Sequence, residues 1–265
     1  MLYKLDASPL RMAQLLIVHR EPALVIRDRI SGGWAHRYRQ GTLVSPKPRG
    51  LPWQLAEQKT REIFFHRYTP KSGDTVLEVG AEYGADTVFL SRLVGPTGRV
   101  IAVEAHPVTC SLLRRTVELN RLTNVQVVNA AVSDTNGTTG ISDGSSASNR
   151  VVSDGSGLTV RSVTIDHLRE EHDLHRIDLL KMNIEGSERQ AIAGMEASHD
   201  LVRHAVISCH DFRADRTGDE FFRTSHVVEP RLASWGFTVS RRIDDPRPWI
   251  RDYRYAERPQ EPDIG

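Results

Sequence analysis

Residues 76–84 read Val-Leu-Glu-Val-Gly-Ala-Glu-Tyr-Gly, a mostly apolar run that passes directly into a short turn bounded by glycines. The apolar part predicts a buried strand at Thr75–Val79, and the residues after the turn predict a helix at Ala85–Val94. Gly80 and Gly84 allow a ligand to approach the backbone closely, because glycine has no side chain. This order of strand, glycine turn and helix is typical of α/β proteins that bind a ligand beyond the carboxyl ends of their strands.

The alternation of strands and helices continues on both sides of this turn. Most of the strands are continuous runs of Val, Ile and Leu, which favours a parallel sheet covered by helices on both faces. The sequence therefore predicts an α/β, Rossmann-like domain. The predicted elements are helices near 9–19 and 21–30, helix 53–67, strand 75–79, helix 85–94, strand 99–104, helix 107–120, strand 125–132, strand 177–184, helix 187–195, strand 204–210, helix 220–235 and strands 237–242 and 249–255.

Three regions fall outside this alternation. Residues 1–52 are predicted to form an N-terminal accessory segment that is largely helical and rich in Lys and Arg. Residues 133–160 contain repeated Asn-Gly and Asp-Gly turn signals, which predict a β-hairpin insertion. The α/β domain itself then occupies residues 53–257, and residues 258–265 are predicted to be a flexible tail.

The composition restricts the class of protein. A formal net charge of +1 and the absence of a basic stripe with aromatic residues argue against nucleic acid as a partner. No apolar run approaches the length of a membrane span, and two distant cysteines form neither a disulfide framework nor a metal-binding motif. We expect a cytoplasmic protein that binds a small molecule and requires no metal. The sequence leaves a homodimer open.

The glycine turn distinguishes two classes of cofactor. Dinucleotide-binding turns follow the pattern G-x-G-x-x-G, but Glu82 and Ala85 occupy the positions of the second and third glycines. Carboxylates at Glu78, Glu82 and Asp86 would repel a pyrophosphate. They suit S-adenosylmethionine, which carries a sulfonium cation and an amino group and has no phosphate. Glu104, at the end of the next strand, is placed to accept hydrogen bonds from ribose hydroxyls.

Five motifs strengthen this interpretation: Glu78-Val-Gly-Ala-Glu-Tyr-Gly84, Val103-Glu-Ala-His-Pro107, Asn129-Ala-Ala-Val-Ser-Asp134, Thr164-Ile-Asp166 and Asp178-Leu-Leu-Lys-Met-Asn-Ile-Glu-Gly-Ser-Glu188. In their order and spacing, over about residues 53–212, the chain resembles the FkbM-type methyltransferases. The resemblance implies a class I methyltransferase fold with a seven-stranded, mostly parallel sheet whose last strand is antiparallel. It also implies S-adenosylmethionine as the cofactor and a hydroxyl group of a natural product or saccharide as the methyl acceptor.

The resemblance also implies a cofactor site. Gly80, Ala81 and Gly84 should line the methionine part of the cofactor, while Glu104 should hold the ribose. Glu78 stands where Asp is commoner in the family, so its contact with the cofactor amino group is expected to pass through water. The complete predicted cofactor-binding set is Glu78, Gly80, Ala81, Glu82, Tyr83, Gly84, Glu104, Ala105, Asn129, Ala131 and Val132, of which the last two should flank the adenine.

Methyl transfer to an alcohol or phenol requires a base, and we expect the catalytic groups at the carboxyl ends of the fourth and fifth strands. His210 is the first choice of base, because imidazole titrates near neutral pH; capping of the strand end is its alternative role. Glu185 is predicted to act as a base, to orient the acceptor, or to be a carboxylate at a helix N-terminus. Asn183 is the third candidate. Many FkbM-type relatives carry Asp there, and Asn keeps an acceptor oxygen without the charge.

Two other functions remain open at this stage. A nicotinamide-dependent oxidoreductase would use a similar crevice, although the missing glycines argue against it. A non-catalytic methyltransferase-like domain could bind partners through its basic N-terminal segment, and the loss of charge at Asn183 keeps this alternative open. The acceptor should be selected by residues 1–50, 133–160 and 212–230, which are loops or accessory elements without a readable code.

Overall fold

The computed structural model describes residues 24–48, 52–142, 151–152 and 157–259. Two short 3₁₀ turns lie at His199–Leu201 and Glu220–Phe222. The helices and strands, in chain order, are β1 Leu24–Arg27, β2 Trp34–Arg37, β3 Thr42–Ser45, α1 Trp53–Ile63, β4 Thr75–Val79, α2 Ala85–Val94, β5 Arg99–Glu104, α3 Pro107–Leu119, β6 Val125–Asn129, β7 Ala131–Val132, β8 Gly137–Ile141, β9 Val151–Val152, β10 Leu158–Val163, α4 Ile165–Glu171, β11 Ile177–Met182, α5 Glu188–Ala193, β12 Val202–Ser208, α6 Asp211–Thr217, α7 Ser225–Ser234, β13 Thr238–Ser240, α8 Pro248–Arg251 and β14 Tyr253–Glu257.

The central sheet has seven strands in the order β13-β14-β12-β11-β4-β5-β6. Strand β14, the last in the chain, is antiparallel to both of its neighbours, and the pairs between β12 and β6 are all parallel. The predicted class I methyltransferase fold is thus confirmed. The chain reverses its direction of travel across the sheet at β4, since β5 and β6 lie on one side of it and β11 and β12 on the other. A crevice for a ligand opens at such a switch point.

The sheet is buried on both faces, as the apolar strands predicted. Val76 belongs to the same buried cluster as Leu90 of α2, while its neighbour Leu77 belongs to a second buried cluster, which includes Leu168 of α4. Every residue of the central strand Ile177–Met182 is buried. Because neither face of these strands meets water, no polar residues are needed at alternate positions along them. This explains their continuous runs of Val, Ile and Leu.

The N-terminal segment is a β-sheet where it is described. Strands β1, β2 and β3 form an antiparallel meander, so the helix predicted near 21–30 is wrong from residue 24 onward. Turn chemistry explains the difference. The Asp28 carboxylate accepts a hydrogen bond from the Ser31 backbone N–H at 2.9 Å, and Gly32 supplies a left-handed φ of +69°. The helix predicted near 9–19 lies outside the described residues.

This small sheet is attached to α3 through hydrogen bonds to the backbone of β3. The Asn120 side chain, just after α3, donates to Thr42 O at 2.6 Å, and its Oδ1 accepts from Thr42 N at 3.0 Å. The backbone N–H of Val44 donates to Thr116 Oγ1 at 3.1 Å. The strands of the accessory segment are therefore packed against the α/β domain, and the domain boundary at residue 52 stays a prediction.

The predicted hairpin insertion is present and is part of a second, four-stranded sheet of order β7-β10-β8-β9. Its consecutive strands β8 and β9 pair antiparallel, and β10 pairs antiparallel with the other edge of β8 and in parallel with β7. The strand predicted at 125–132 is consequently divided. Its first part ends at Asn129 in the central sheet, whereas Ala131 and Val132 pair with Ser162 and Val163 in the second sheet.

Some predicted boundaries near the C-terminus are also corrected. Residues 249–251 belong to helix α8, which begins at Pro248, so the final strand starts at Tyr253. Helices α4 and α6 were not predicted. Arg258, placed in the flexible tail, is anchored because its backbone N–H donates to Arg203 O at 2.9 Å and its guanidinium donates to Trp235 O at 2.9 Å. Residues 260–265 lie outside the described part of the chain.

We predict that Asn120→Ala weakens the attachment of the small sheet to α3. Two hydrogen bonds to a strand backbone are lost, so the free energy of unfolding should fall by about 1–3 kcal/mol. Urea denaturation measures the loss, and hydrogen exchange should show faster exchange at the Thr42 amide. Asn120→Asp keeps the oxygen that accepts from the Thr42 N–H, so the Thr42 amide should exchange more slowly in this variant than in the Ala variant. Unchanged exchange at Thr42 in the Ala variant would contradict the prediction.

Candidate active site

An open cleft lies at the carboxyl ends of β4, β5 and β11, where the chain reverses across the sheet. Its position is the one expected for a ligand site in this topology. The predicted site residues that line the cleft are Gly80, Glu82, Glu104, Ala105, Ala131, Val132, Asn183 and Glu185. The predicted site residues that are not among its lining are Glu78, Ala81, Tyr83, Gly84, Asn129 and His210.

The two glycines of the turn have different roles. Gly80 has a φ of +81°, and a Cβ there would lie 2.1 Å from Asn183 O, so only glycine lets the turn pass against the end of β11. Gly84 has a φ of +85°, and a Cβ there would lie 2.6 Å from a methyl group of Leu113 in α3. Gly84 therefore permits helix packing behind the turn, whereas Gly80 brings the turn to the cleft.

Glu104 occupies the centre of the cleft wall formed by β5. One carboxylate oxygen accepts a hydrogen bond from Glu82 N at 3.0 Å, and the other accepts from His106 N at 2.9 Å. Burial raises the pKa of Glu104 to about 7, although the two backbone hydrogen bonds favour the charged form. Asn129 lies behind it and donates to the backbone carbonyls of Glu104 and Ala105 at 2.8 and 2.9 Å. Asn129 therefore holds the backbone of Glu104 and Ala105 in place.

Glu78 lies beneath the turn and is fully buried. One of its oxygens accepts from the Thr87 hydroxyl at 2.6 Å, and the other lies 3.2 Å from Lys181 Nζ. Lys181 Nζ also donates to Gly80 O at 3.0 Å and lies 3.2 Å from an oxygen of Asp86. Burial raises the pKa of Glu78 against the lowering effect of the lysine. Lys181 thus connects β11 to both ends of the turn.

Glu185 lies at the opposite side of the cleft, on the loop after β11. Its φ is +56°, a left-handed conformation that is uncommon for a residue other than glycine, and Gly186 follows with a φ of +100°. The Glu185 carboxylate forms an ion pair with the Arg213 guanidinium, and its other oxygen lies 3.5 Å from His210 Nε2. The loop after β11 thus holds the Glu185 carboxylate at the cleft, and the Arg213 guanidinium and the His210 imidazole lie next to that carboxylate.

His210 is buried behind this loop, with only 3% of its surface exposed. Its Nδ1 lies 2.9 Å from an oxygen of Glu188, which is itself fully buried. The same Glu188 oxygen accepts from the backbone N–H groups of Ile184 and Gly186, each at 3.3 Å. The structure therefore separates His210 from the cleft wall and makes Glu188 the residue that supports the loop.

Sequence reasoning did not assign several residues that line the cleft, namely Asp86, Thr109, Ile141, Lys181, Ile184 and Ser187. Lys181 carried a signal, because a lysine within an apolar strand must be paired if the strand is buried. Ile141 belongs to β8, so the insertion contributes one wall of the cleft. The sequence analysis expected residues 133–160 to lie near the acceptor, but no pattern singled out Ile141 as a lining residue.

Over residues 24–48, 52–142 and 157–259, no group of three His, Cys, Asp or Glu side chains is placed to hold a metal ion. That the protein requires no metal stays a prediction. In the same part of the chain, no helix has the length and apolar character needed to cross a membrane.

Comparison with known proteins identifies the family. The sequence profile of the methyltransferase FkbM domain matches residues 78–254, about two thirds of the chain. A protein called Methyltransferase 1 from Beauveria bassiana is 24% identical and covers 68% of this chain and 80% of its own length. A protein-L-isoaspartate O-methyltransferase from Aeropyrum pernix is 32% identical over 43% of this chain and 48% of its own length.

The crystal structure of an FkbM methyltransferase from Methylobacillus flagellatus KT shows the same fold. It has a TM-score of 0.51 at 16% identity, over 74% of this chain and 47% of that chain. The chain spans about half the length of this protein and of the Aeropyrum pernix enzyme. The matched segment 78–254 begins at the acid before the glycine turn and includes Glu104, Asn183 and Glu185 of the cleft. The protein belongs to the FkbM family of S-adenosylmethionine-dependent methyltransferases.

Proposed function

We propose that this protein transfers the methyl group of S-adenosylmethionine to a hydroxyl group of a small molecule. The observation that carries the proposal is the arrangement of the cleft. Glu104 lines one side of the cleft, where we assign it the ribose hydroxyls, and Asn183 and Glu185 line the other side, where we assign them the acceptor. An acceptor held by the second pair would meet the cofactor between the ends of β4 and β11.

The cofactor proposal assigns a part of the cleft to each part of the molecule. The methionine end lies along the turn at Gly80 and Glu82, and the ribose hydroxyls donate to Glu104. The adenine lies between Ala105 and the pair Ala131 and Val132, which offer apolar contact without competing polar groups. The electrostatics agree, because acidic side chains around the turn favour a cation and disfavour a pyrophosphate. The same charges argue against a nicotinamide dinucleotide in this cleft.

Methyl transfer to oxygen breaks the bond between sulfur and the methyl carbon and forms a bond between the methyl carbon and the acceptor oxygen. The bound cofactor supplies an activated methyl group on a positively charged sulfur. The chain must align the acceptor oxygen and receive the hydroxyl proton. We assign the proton to the Glu185 carboxylate, which lines the cleft, and the alignment of the acceptor to the Asn183 side chain.

This assignment changes the role proposed for His210. The sequence favoured it as the base, but its ring is buried between Glu185 and Glu188 and is not part of the cleft lining. We propose that His210 is a positioning residue that fixes the orientation of Glu185. The strained backbone of Glu185 fits this role, because an unfavourable φ persists only where the surroundings hold it.

The acceptor class is the part of the proposal that extends beyond the family. The Aeropyrum pernix relative is a protein-L-isoaspartate O-methyltransferase, and that name describes its own substrate. Here Ile141 of the insertion strand β8 lines the cleft and belongs to the same buried cluster as Ala131, so it lies beside the part of the cleft that we assign to adenine. A small hydroxyl compound, such as a saccharide or a natural product, is the acceptor class that the sequence resemblance implies. A homodimer and a cytoplasmic location remain predictions from the sequence.

The direct test uses S-adenosylmethionine with a labelled methyl group and a panel of saccharides and phenols. Each compound is paired with an analogue whose hydroxyl is already methylated. The proposal requires label in a hydroxyl compound and none in its blocked analogue. Label that enters only amines would contradict it, and label in no compound of any class would favour the non-catalytic alternative.

We predict that Glu185→Gln lowers kcat about 10²–10⁴-fold with the acceptor found in that panel, because the base is lost while the shape is kept. The dissociation constant for S-adenosylmethionine should change less than about twofold. Glu170→Gln, the same chemical change at an exposed position of α4, serves as the control and should keep the wild-type rate. Retention of more than a tenth of kcat would remove Glu185 from the role of base.

We predict that cofactor binding weakens as the pH falls, because Glu104 has a pKa of about 7 and binds ribose hydroxyls through its charged form. Protonation increases as the pH falls from 8 to 6, so the dissociation constant for S-adenosylmethionine should rise about tenfold over this interval. Isothermal titration calorimetry measures it. In Glu104→Gln the affinity should be lower at pH 8, and this part of the pH dependence should disappear. An equal pH dependence in the variant would show that another group titrates.

A further inference from the structure

Two carboxylates share a single lysine beneath the glycine turn. Lys181 Nζ lies 3.2 Å from an oxygen of Glu78 and 3.2 Å from an oxygen of Asp86. The Lys181 side chain is 3% exposed and the Glu78 side chain 0%, whereas 23% of the Asp86 side chain is exposed. The group of three therefore has one negative charge in excess, and Asp86 is the member through which that charge faces the cleft.

The Glu78 carboxylate is not presented to the cleft. Its two oxygens are engaged by Lys181 Nζ and by the Thr87 hydroxyl, and it does not contribute to the cleft lining. Asp86 also has a partner at each oxygen, since Oδ2 faces Lys181 and Oδ1 lies 2.5 Å from the Thr60 hydroxyl. A carboxylate offers about four acceptor positions, so a partly exposed Asp86 can accept a further donor from the cleft.

We propose that Asp86, in place of Glu78, binds the amino group of the methionine part of the cofactor, and that Lys181 and Thr60 are positioning residues for it. The inference rests on S-adenosylmethionine as the cofactor and deepens the proposed function at the same site. A protonated amino group would neutralise the excess negative charge of the three buried and half-buried side chains. The sequence pattern alone pointed to Glu78, because it stands directly before the turn.

The same contacts give helix α1 a part in the cofactor site. Thr60 and Phe64 lie outside the segment 78–254 that matches the family profile. Thr60 is 1% exposed and directs its hydroxyl at Asp86, while Lys181 Nζ lies 4.7 Å from the centre of the Phe64 ring. A cation above an aromatic face is stabilised by the ring quadrupole. Thr60 of α1 thus contacts Asp86 directly, and Phe64, the residue after α1, contacts its other partner, Lys181.

The test compares two ligands by calorimetry, so it needs no acceptor and no activity. S-adenosylhomocysteine carries the amino acid end, and 5′-methylthioadenosine has the same adenosine and thioether without it. Asp86→Asn should weaken binding of S-adenosylhomocysteine by about tenfold, the size expected for one charge-assisted hydrogen bond. Its binding of 5′-methylthioadenosine should change less than about twofold, which also shows that the variant is folded.

Two matched variants separate binding from general structure. Glu78→Gln should reduce the preference for S-adenosylhomocysteine over 5′-methylthioadenosine less than Asp86→Asn does, because it removes the same unit of charge and leaves the Asp86 carboxylate at the cleft. Thr60→Val, which has the same shape without the hydroxyl, should reduce that preference, and Thr60→Ser should restore it. A preference lost in Glu78→Gln and kept in Asp86→Asn would overturn the proposal. Equal weakening of both ligands in Asp86→Asn would also overturn it, because that result describes a purely structural residue.

The outcome for the unaltered protein distinguishes this inference from the proposed function. Binding of both ligands without methyl transfer to any hydroxyl compound would refute the acceptor class and leave the role of Asp86 to be decided by the variants. Failure of the unaltered protein to bind either ligand would refute the cofactor assignment, and the inference would fall with it.

Discussion

The close approach of the glycine turn to the end of β11 is the constraint on which the site depends. Gly80 passes so near to Asn183 O that no side chain fits between them, and Lys181 Nζ donates to the Gly80 carbonyl from within β11. These contacts lock two parallel strands together where the order of the sheet reverses. These contacts thereby hold the turn, the end of β5 and the loop after β11 around one cleft.

The charges of the cleft follow from this arrangement. Glu82, Asp86 and Glu104 line the side of the turn, and Glu185 lines the side proposed for the acceptor, with Lys181 as the cation beneath the turn. Such a cleft favours a positively charged ligand, and it explains why an acidic turn replaces the glycine-rich turn of dinucleotide-binding proteins. The buried lysine keeps this concentration of acids compatible with folding, because unpaired carboxylates beneath the sheet would oppose burial.

The two sides of the cleft are supported in different ways. On the cofactor side, backbone N–H groups and Asn129 hold Glu104, and helix α1 reaches the turn through Thr60. On the acceptor side, the buried pair of His210 and Glu188 holds a loop with a left-handed backbone. The insertion contributes Ile141 to the cleft lining, whereas the described strands of the accessory sheet contribute no lining residue. Loops and insertions on a common scaffold usually determine which substrate a site accepts.

Local patterns in the sequence predicted the α/β fold, the glycine turn and the acid at Glu104, because strand and helix periodicity and turn chemistry are local properties of the chain. The seven-stranded sheet was expected from the resemblance to the FkbM-type methyltransferases. The sequence did not determine the accessory meander, where turn residues outweighed a helical pattern. Which acid faces the cleft depends on the tertiary structure, since Glu78 is held away from the cleft by its contact with Lys181, 103 residues away in the chain. His210 is likewise withdrawn from the cleft wall, because its ring is paired with the buried carboxylate of Glu188. A side chain's partner across the sheet, rather than its place in a motif, sets whether it is buried or free to meet a ligand.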